Sequence, residues 1–332
     1  MKEEPQNILI TGAAGFIGSF FASALNEKGI ENLILVDDFS SIKKAHHHQS
    51  LKYLYKIHRD QLMDWLENPP VSIDIIIHLG ARTDTTEFDE KLLKRLNTSY
   101  TKDLWEFATQ AKIPFLYASS AATYGDGAHG YDDELKINAL EKLTPLNPYG
   151  WSKHKVDLWA LAQKKTPPFW AGFKFFNVYG PHEDHKGRMA SVIFHAFHQI
   201  QTIGEMKLFK SHRSDYENGG QQRDFIYVKD VVNILVYFMK NHAKIKSGIY
   251  NVGTGTARSF NDLAKGVFTA LNQKPKIIYI DTPEDIRDKY QYFTEATTKK
   301  LVKTGYNQPF YSLEEGIKDY VQNYLSDIKG AE

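Results

Sequence analysis

The chain has 332 residues, of which 42% are hydrophobic and 24% charged, a balance that suits a globular protein with one extended domain or two. Its formal net charge of +1, with no basic or acidic blocks, implies no nucleic-acid or acidic-surface partner, and the lack of cysteine excludes disulfides, thiolate metal sites and thiol nucleophiles. The polar start Met1–Gln6 lacks the apolar core of a signal peptide and no stretch approaches transmembrane length, so a cytoplasmic protein with no membrane partner is expected.

The first expected strand, Asn7–Thr11, leads into Gly12-Ala13-Ala14-Gly15-Phe16-Ile17-Gly18 and an amphipathic stretch to Gly29. Strand, glycine turn and helix is the context in which such a pattern marks a dinucleotide site. Gly12, Gly15 and Gly18 allow a tight turn, close approach to a pyrophosphate and close packing of helix on strand, while the helix N-terminus presents N–H groups to phosphate. The spacing is G-x-x-G-x-x-G, and no Gly-Lys-Ser/Thr follows, so this is not a P-loop. A second strand, Leu33–Val36, ends at Asp37-Asp38, with Asp37 nineteen residues after Gly18, where an acidic group meets the adenine-side ribose of NAD. Lys43 and Lys44 follow, and Arg59 lies just past the next strand; there they would neutralise the 2′-phosphate of NADP, or simply form a solvated pair. The residues are divided between the two cofactors. His46-His47-His48 falls in an apparent polar loop, and adjacent histidines rarely converge on one ion without further ligands, so no metal is expected.

Ile73–Leu79 reads as a strand, and Leu79-Gly80-Ala81-Arg82 offers small residues where a cofactor must come close. Asp89–Ala111 is the clearest helix, followed by the strand Pro114–Ala118. Ser119-Ser120 ends that strand at the carboxyl edge, where doubly wound sheets bind ligands; a hydroxyl there shares a proton with substrate or caps a turn. Twenty-nine residues after Ser120 comes Tyr149, with Lys153 four positions on, which puts both side chains on one helical face. A nearby ammonium favours phenolate, so the Tyr149 phenol is expected to fall from its ordinary pKa of about 10 toward the working pH. Tuned that way, it takes a proton from an alcohol while a hydride leaves the same carbon. A strand near Phe173–Phe176 comes next. Beyond residue 180 the pattern loosens, with a helix opening near Met189 that carries His195 and His198, and two returns to the core at Phe225–Val228 and Gly248–Val252. The alternation predicts an α/β fold, a Rossmann-type doubly wound parallel sheet. Its dinucleotide-binding domain would span 1–180, with segments near 225–252 returning to it, and 181–332 would form mainly a smaller C-terminal substrate-binding domain.

Five separated segments carry a resemblance that covers almost the whole chain: Thr11–Gly18, Ala118-Ser119-Ser120-Ala121-Ala122-Thr123-Tyr124-Gly125, Tyr149-x-x-x-Lys153, Asn177-Val178-Tyr179-Gly180-Pro181 and Arg223-Asp224-Phe225-Ile226-Tyr227-Val228-x-Asp230-Val231. Together they resemble the extended short-chain dehydrogenase/reductase family of nucleotide-sugar epimerases and dehydratases. The resemblance implies that Ser120, Tyr149 and Lys153 are catalytic. It places Gly12, Gly15, Phe16, Ile17, Gly18, Leu79 to Arg82, Asn97 and Val178 at the cofactor, and Asn177 at the substrate. Arg223 would hold a diphosphate, a role its planar fork suits. Ala121-Ala122 stand where dehydratases of the family carry an Asp-Glu pair, so water elimination is not expected.

Pro181–His195, with Thr85-Thr86-Glu87, Leu208-Phe209-Lys210-Ser211 and Tyr290-Gln291-x-Phe293-Thr294, is similar to the ADP-heptose epimerase branch of that family. This similarity implies that Lys186, in contact with the cofactor as well, is a second acid–base opposite Tyr149; from the residues alone it is an ordinary lysine in a charged loop. It also implies substrate contacts from Arg188, His195, Phe209, Lys210, Ser211, His212 and Tyr290. Arg188 replaces an expected small polar residue, and His195 equally fits a structural histidine. Bound NADP, with NAD as the alternative, would serve inversion of C6″ of an ADP-heptose through a ketone, making a lipopolysaccharide precursor. A homo-oligomer, a pentamer by analogy, is implied as well.

Overall fold

In the computed structural model, residues 7–133, 136–287 and 291–326 are described. Seven strands form one parallel sheet: β1 (Ile8–Thr11), β2 (Leu33–Asp37), β3 (Tyr55–His58), β4 (Ile75–His78), β5 (Phe115–Ser120), β6 (Trp170–Phe175) and, after three strands that belong to other sheets, β10 (Gly248–Val252). The three between are β7 (Asn177–Tyr179), β8 (Met206–Phe209) and β9 (Gln222–Tyr227), and β11 (Ala257–Ser259) and β12 (Ile277–Ile280) complete the set. The spatial order of the large sheet is β10-β6-β5-β4-β1-β2-β3. Chain order reverses between β1 and β4, so a crevice opens at their carboxyl ends.

The strands read as continuous apolar runs because both faces of the sheet are covered. Ile8, Ile10, Leu33, Leu35, Ile75 and Ile77 point to one side, against Phe21 and Leu25 of the helix Phe16–Glu27 and Val231, Leu235 and Phe238 of the helix Val228–Asn241. The alternate residues Leu9, Ile34, Val36 and Ile76 point to the other, against Leu104, Trp105 and Ala108 of the helix Tyr100–Ala111 and Val156 and Ala160 of the helix Pro148–Ala162. A third core joins the helices Val192–Ile203, Phe260–Ala270 and Leu313–Tyr320 beneath β8 and β9.

Three local expectations are revised. Phe225–Val228 does not re-enter the large sheet: β9 pairs with β7 and β11 in a separate three-stranded sheet, because β7 follows β6 after one residue and carries the chain off the sheet edge. Gly248–Val252 does return, as β10 beside β6. The histidine triplet is not a polar loop but the short helix Ala45–His48, with His47 and His48 buried. The helix expected near Met189 opens at Val192, where the Ser191 hydroxyl accepts from the Phe194 N–H and fixes the start.

Candidate active site

The glycine turn is built for close approach. Gly12 has φ +72°, and a Cβ there would sit 2.6 Å from the Gly80 nitrogen; one on Gly18 would sit 2.1 Å from the Gly12 oxygen. Only glycine lets the turn, the β4 loop and the first helix meet. That helix begins at Phe16 without a side-chain cap on its free N–H groups, whereas helices elsewhere are capped by Asn147, Ser191, Ser259 and Ser312. The uncapped end opens on a cavity of ≈ 260 Å³ lined by Gly12, Gly15 to Gly18, Asp37, Lys44, Arg59, Leu79 to Thr83, His185 and Lys186. A pyrophosphate fits that N-terminus, and the donor set along the rest of the cavity suits a dinucleotide.

Both oxygens of Asp37 are committed to the backbone, accepting from Ala14 N–H at 2.9 Å and Asp38 N–H at 2.7 Å. Lys44 stands 3.8 Å from Asp37, and Arg59 3.5 Å from Asp38. Lys43 is exposed and does not line the cavity. Asn97, buried in a π turn (Lys94–Ser99) of the helical run from Glu90, does not line it either. Its amide accepts from Arg82 N–H and donates to the Arg82 carbonyl and the Ser152 hydroxyl, so it clamps the β4 loop to the Tyr149 helix. π turns are common at such working positions because they free one side chain from the regular helical face.

Beyond Phe16, Ile17 and Leu79 the crevice widens into a second cavity of ≈ 320 Å³. Ser120, Tyr149 and Lys153 line one side; Asn177, Val178 and Lys186 line others. The Asn147 side chain caps the helix that carries Tyr149 and Lys153, with Pro148 in its first turn, so the pair sits just inside a fixed end. The Ser120 hydroxyl lies beside the Tyr149 phenol and favours its ionised form. Burial pushes that phenol up rather than down, against the expectation from the lysine spacing. The largest cause is the burial of the phenol itself, and the negative charge of Asp157 adds to it. Burial likewise pulls the Lys153 ammonium down to about 8, and its Nζ donates to the Ala118 carbonyl at 2.8 Å.

Lys186 lines both cavities, with its ammonium 5.3 Å from the centre of the Phe16 ring. Burial lowers its pKa, opposed by the charge of Glu183. Glu183 is wholly buried and accepts from Gly180 N–H, Ser191 N–H and the Ser191 hydroxyl, which ties down the loop on which Lys186 rides.

Other expected substrate contacts do not reach this cavity. Arg188 pairs with Asp84 at 3.1 Å and with the Thr86 hydroxyl, pointing along the rim. His195 is half-buried one turn into its helix, beside Phe194. Phe209 ends β8, Lys210 pairs with Asp281 at 3.0 Å, and Ser211 and His212 bond to the Tyr292 hydroxyl. Arg223 is buried, donates to the Gln222 and Gln291 carbonyls and lies 5.7 Å from the Phe260 ring, itself a cavity wall. Tyr290 lies outside the described residues.

A buried pair beneath Tyr149 was not anticipated. Asp157 and Lys174 meet at 2.8 Å with neither exposed, and Asp157 also accepts from the Tyr117 and Ser119 hydroxyls. Its negative charge opposes the fall of the Lys153 pKa. Two signals were present: Asp157 lies one helical turn beyond Lys153, and Lys174 interrupts the apolar run of β6.

A dinucleotide-type cleft opening on a cavity that holds Ser, Tyr and Lys side chains defines the Rossmann-fold class of proteins that work on an alcohol beside a nicotinamide cofactor. The chain belongs to the NAD dependent epimerase/dehydratase family, whose model matches residues 8–253. It is 48% identical to the ADP-L-glycero-D-manno-heptose-6-epimerase of Fusobacterium nucleatum, over 96% of this chain and 98% of that one. It resembles the crystal structure of the Helicobacter pylori ADP-L-glycero-D-manno-heptose-6-epimerase with TM-score 0.81 at 30% identity, covering 97% and 98% of the two chains. A further likeness, TM-score 0.73 at 25% identity over 97% and 99%, is to MoeE5 in complex with UDP-glucose and NAD. Among the described residues no helix is long and apolar enough to cross a membrane.

Proposed function

We propose that this protein is an ADP-heptose 6-epimerase, inverting C6″ of ADP-D-glycero-D-manno-heptose to the L-glycero epimer for lipopolysaccharide core synthesis. The identity to curated relatives of that name supports the substrate. The observation that carries the mechanism is the single cavity to which Tyr149 contributes from the sheet side and Lys186 from the loop. Nicotinamide, when bound, supplies reversible hydride exchange at the carbinol carbon. Tyr149, beside Ser120, handles the hydroxyl proton on one face. Lys186, its pKa lowered by burial, handles it on the other. Two bases are needed because an inverted carbinol presents its hydroxyl in the opposite direction. Lys153 and the Asp157–Lys174 pair below it hold the Tyr149 helix against β5 and β6.

NADP is the proposed form of the cofactor. Lys44 and Arg59 line the ribose end, and Asp37, committed to two backbone N–H groups, repels a 2′-phosphate less than a free carboxylate would. We also propose that residues through 180, together with Val228–Val252, act as the cofactor half, the remainder as the substrate half, and the whole as a homo-oligomer.

The test is mass spectrometry of the cofactor that co-purifies, followed by turnover of ADP-heptose and UDP-hexoses presented separately. Inversion of the ADP-sugar with bound NADP is expected. Turnover of a UDP-hexose alone would replace this reading with a 4-epimerase.

A further inference from the structure

Beside the cofactor cavity, the helix Ala45–His48 faces the loop 182–185, and four imidazoles gather around one carboxylate. The His46 Nε2 is 3.1 Å from Asp184 Oδ2, and the His47 Nε2 is 3.0 Å from Asp184 Oδ1. The donor atoms of His46, His47 and Asp184 all lie within 4.8 Å of one another. His47 is 2% exposed, yet neither of its ring nitrogens has a hydrogen-bond partner; the Asp184 oxygen is near in distance without the alignment a hydrogen bond requires. The His182 and His185 rings stand 4.7 and 5.1 Å from the His47 ring, and the His185 Nδ1 is also buried without a partner. Buried imidazole nitrogens are ordinarily satisfied, so this concentration of unpaired lone pairs calls for an acceptor of electron density.

We propose that His46, His47 and Asp184 form a binding site for a transition-metal dication of the Zn²⁺ class. Zn²⁺ bonds to nitrogen and oxygen at about 2.0–2.2 Å in a tetrahedron, which sets neighbouring donors about 3.3 Å apart. Each histidine–carboxylate separation, to a different oxygen of Asp184, is within a few tenths of an ångström of that spacing, and one donor atom from each residue lies within 4.8 Å of the other two. Two imidazoles and a carboxylate suit Zn²⁺ and its first-row neighbours, whereas Mg²⁺ and Ca²⁺ prefer oxygen alone. Three protein ligands leave the fourth position to water, and the exposed side of His46 and partly exposed Asp184 give the ion a way in. No local spacing marks this ligand set, because Asp184 lies 137 residues beyond His47. Bound there, the ion would join two walls of the cofactor cavity: Lys44 directly precedes the histidine helix, and His185 and Lys186 directly follow Asp184.

The experiment uses the full chain stripped with a chelator, then titrated with Zn²⁺ and, for spectra, Co²⁺. One ion per chain is expected, with Co²⁺ giving the visible bands of a tetrahedral site and Mg²⁺ failing to displace it. His46→Ala and Asp184→Asn should each weaken Zn²⁺ affinity by at least about tenfold while circular dichroism stays unchanged. His46 is solvent-facing, so its variant keeps the test valid if a change at buried His47 prevents folding. Cofactor should also dissociate more slowly from the Zn²⁺-loaded protein than from the stripped one, a difference absent in His46→Ala. Zn²⁺ binding of His46→Ala equal to that of the wild type, or no stoichiometric ion in the wild type, would overturn the site.

Discussion

The two cavities share Phe16, Ile17, Leu79, Ala81, Thr83 and Lys186 but are made of different material. The cofactor side is largely backbone: a glycine turn, an uncapped helix end and the Leu79–Thr83 loop, contributed by consecutive βα units. The substrate side is side chains from β5, β7, the Tyr149 helix, the Lys186 loop and the Phe260 helix. A backbone-built site depends on a few positions where no Cβ fits, so it changes sharply there and little elsewhere. A site built from side chains depends on each group's chemistry and on whatever holds it in register.

The largest expected effect lies on the substrate side. Tyr149→Phe keeps the ring and loses the hydroxyl, so the rate of epimerisation should fall by about two to four decades with the fold and cofactor retained. Lys186→Met should fall comparably. The double variant should lose far less than the sum, because groups acting on one proton inventory are not additive. Near wild-type turnover by Tyr149→Phe would remove the tyrosine from the mechanism.

Lys153 sharpens the contrast through pH. The folded chain releases its proton near pH 8 and the unfolded chain near 10.5, so between these values unfolding takes up a proton and stability rises with pH. Holding the buried ammonium below pH 8 costs about 3 kcal/mol. Lys153→Met should therefore raise the melting temperature at pH 7 while activity is lost, and that gain should shrink as pH approaches 10.5. A gain that does not vary with pH would mean that Lys153 is not strained by burial.

At the ribose end, removing Lys44 and Arg59 together should erase a preference for NADP, since a charge-assisted contact to phosphate is worth about 1.5–3 kcal/mol. Lys43→Ala, on the exposed side, should leave the ratio of cofactor affinities unchanged. Equal affinity of the wild type for NADP and NAD, measured by titration, would mean that Asp37 decides. Gly18→Ala acts first on stability rather than on chemistry, because the added Cβ meets the Gly12 oxygen. A cost of about 1–3 kcal/mol in stability should come with weaker cofactor binding, read by thermal shift with and without NADP.

How much was readable follows from the same difference. Gly12 to Gly18, Asp37, Leu79 to Arg82, Ser120, Tyr149 and Lys153 all occur at strand ends or first turns, and strands and helices announce themselves by periodicity. Their meeting at one sheet edge follows from parallel topology alone. Lys186 could be singled out only by resemblance, because a lysine in a charged loop has no periodic signature. Its burial rests on Glu183 bonding to Gly180 and Ser191, a brace whose effect appears only when the loop is closed.

The sequence by itself determined the alternating strands and helices, the glycine-built cofactor turn and the Tyr149–Lys153 pairing, because each is set by steric limits or by spacing within a few residues. Only the tertiary structure decided that the Tyr149 phenol rises instead of falling, that Phe225–Val228 leaves the large sheet, that Arg188 turns to Asp84, and that His47 meets Asp184. Each of these depends on burial or on a partner far along the chain. Solvation and distance between remote residues are properties of the packed molecule, not of any local stretch of it.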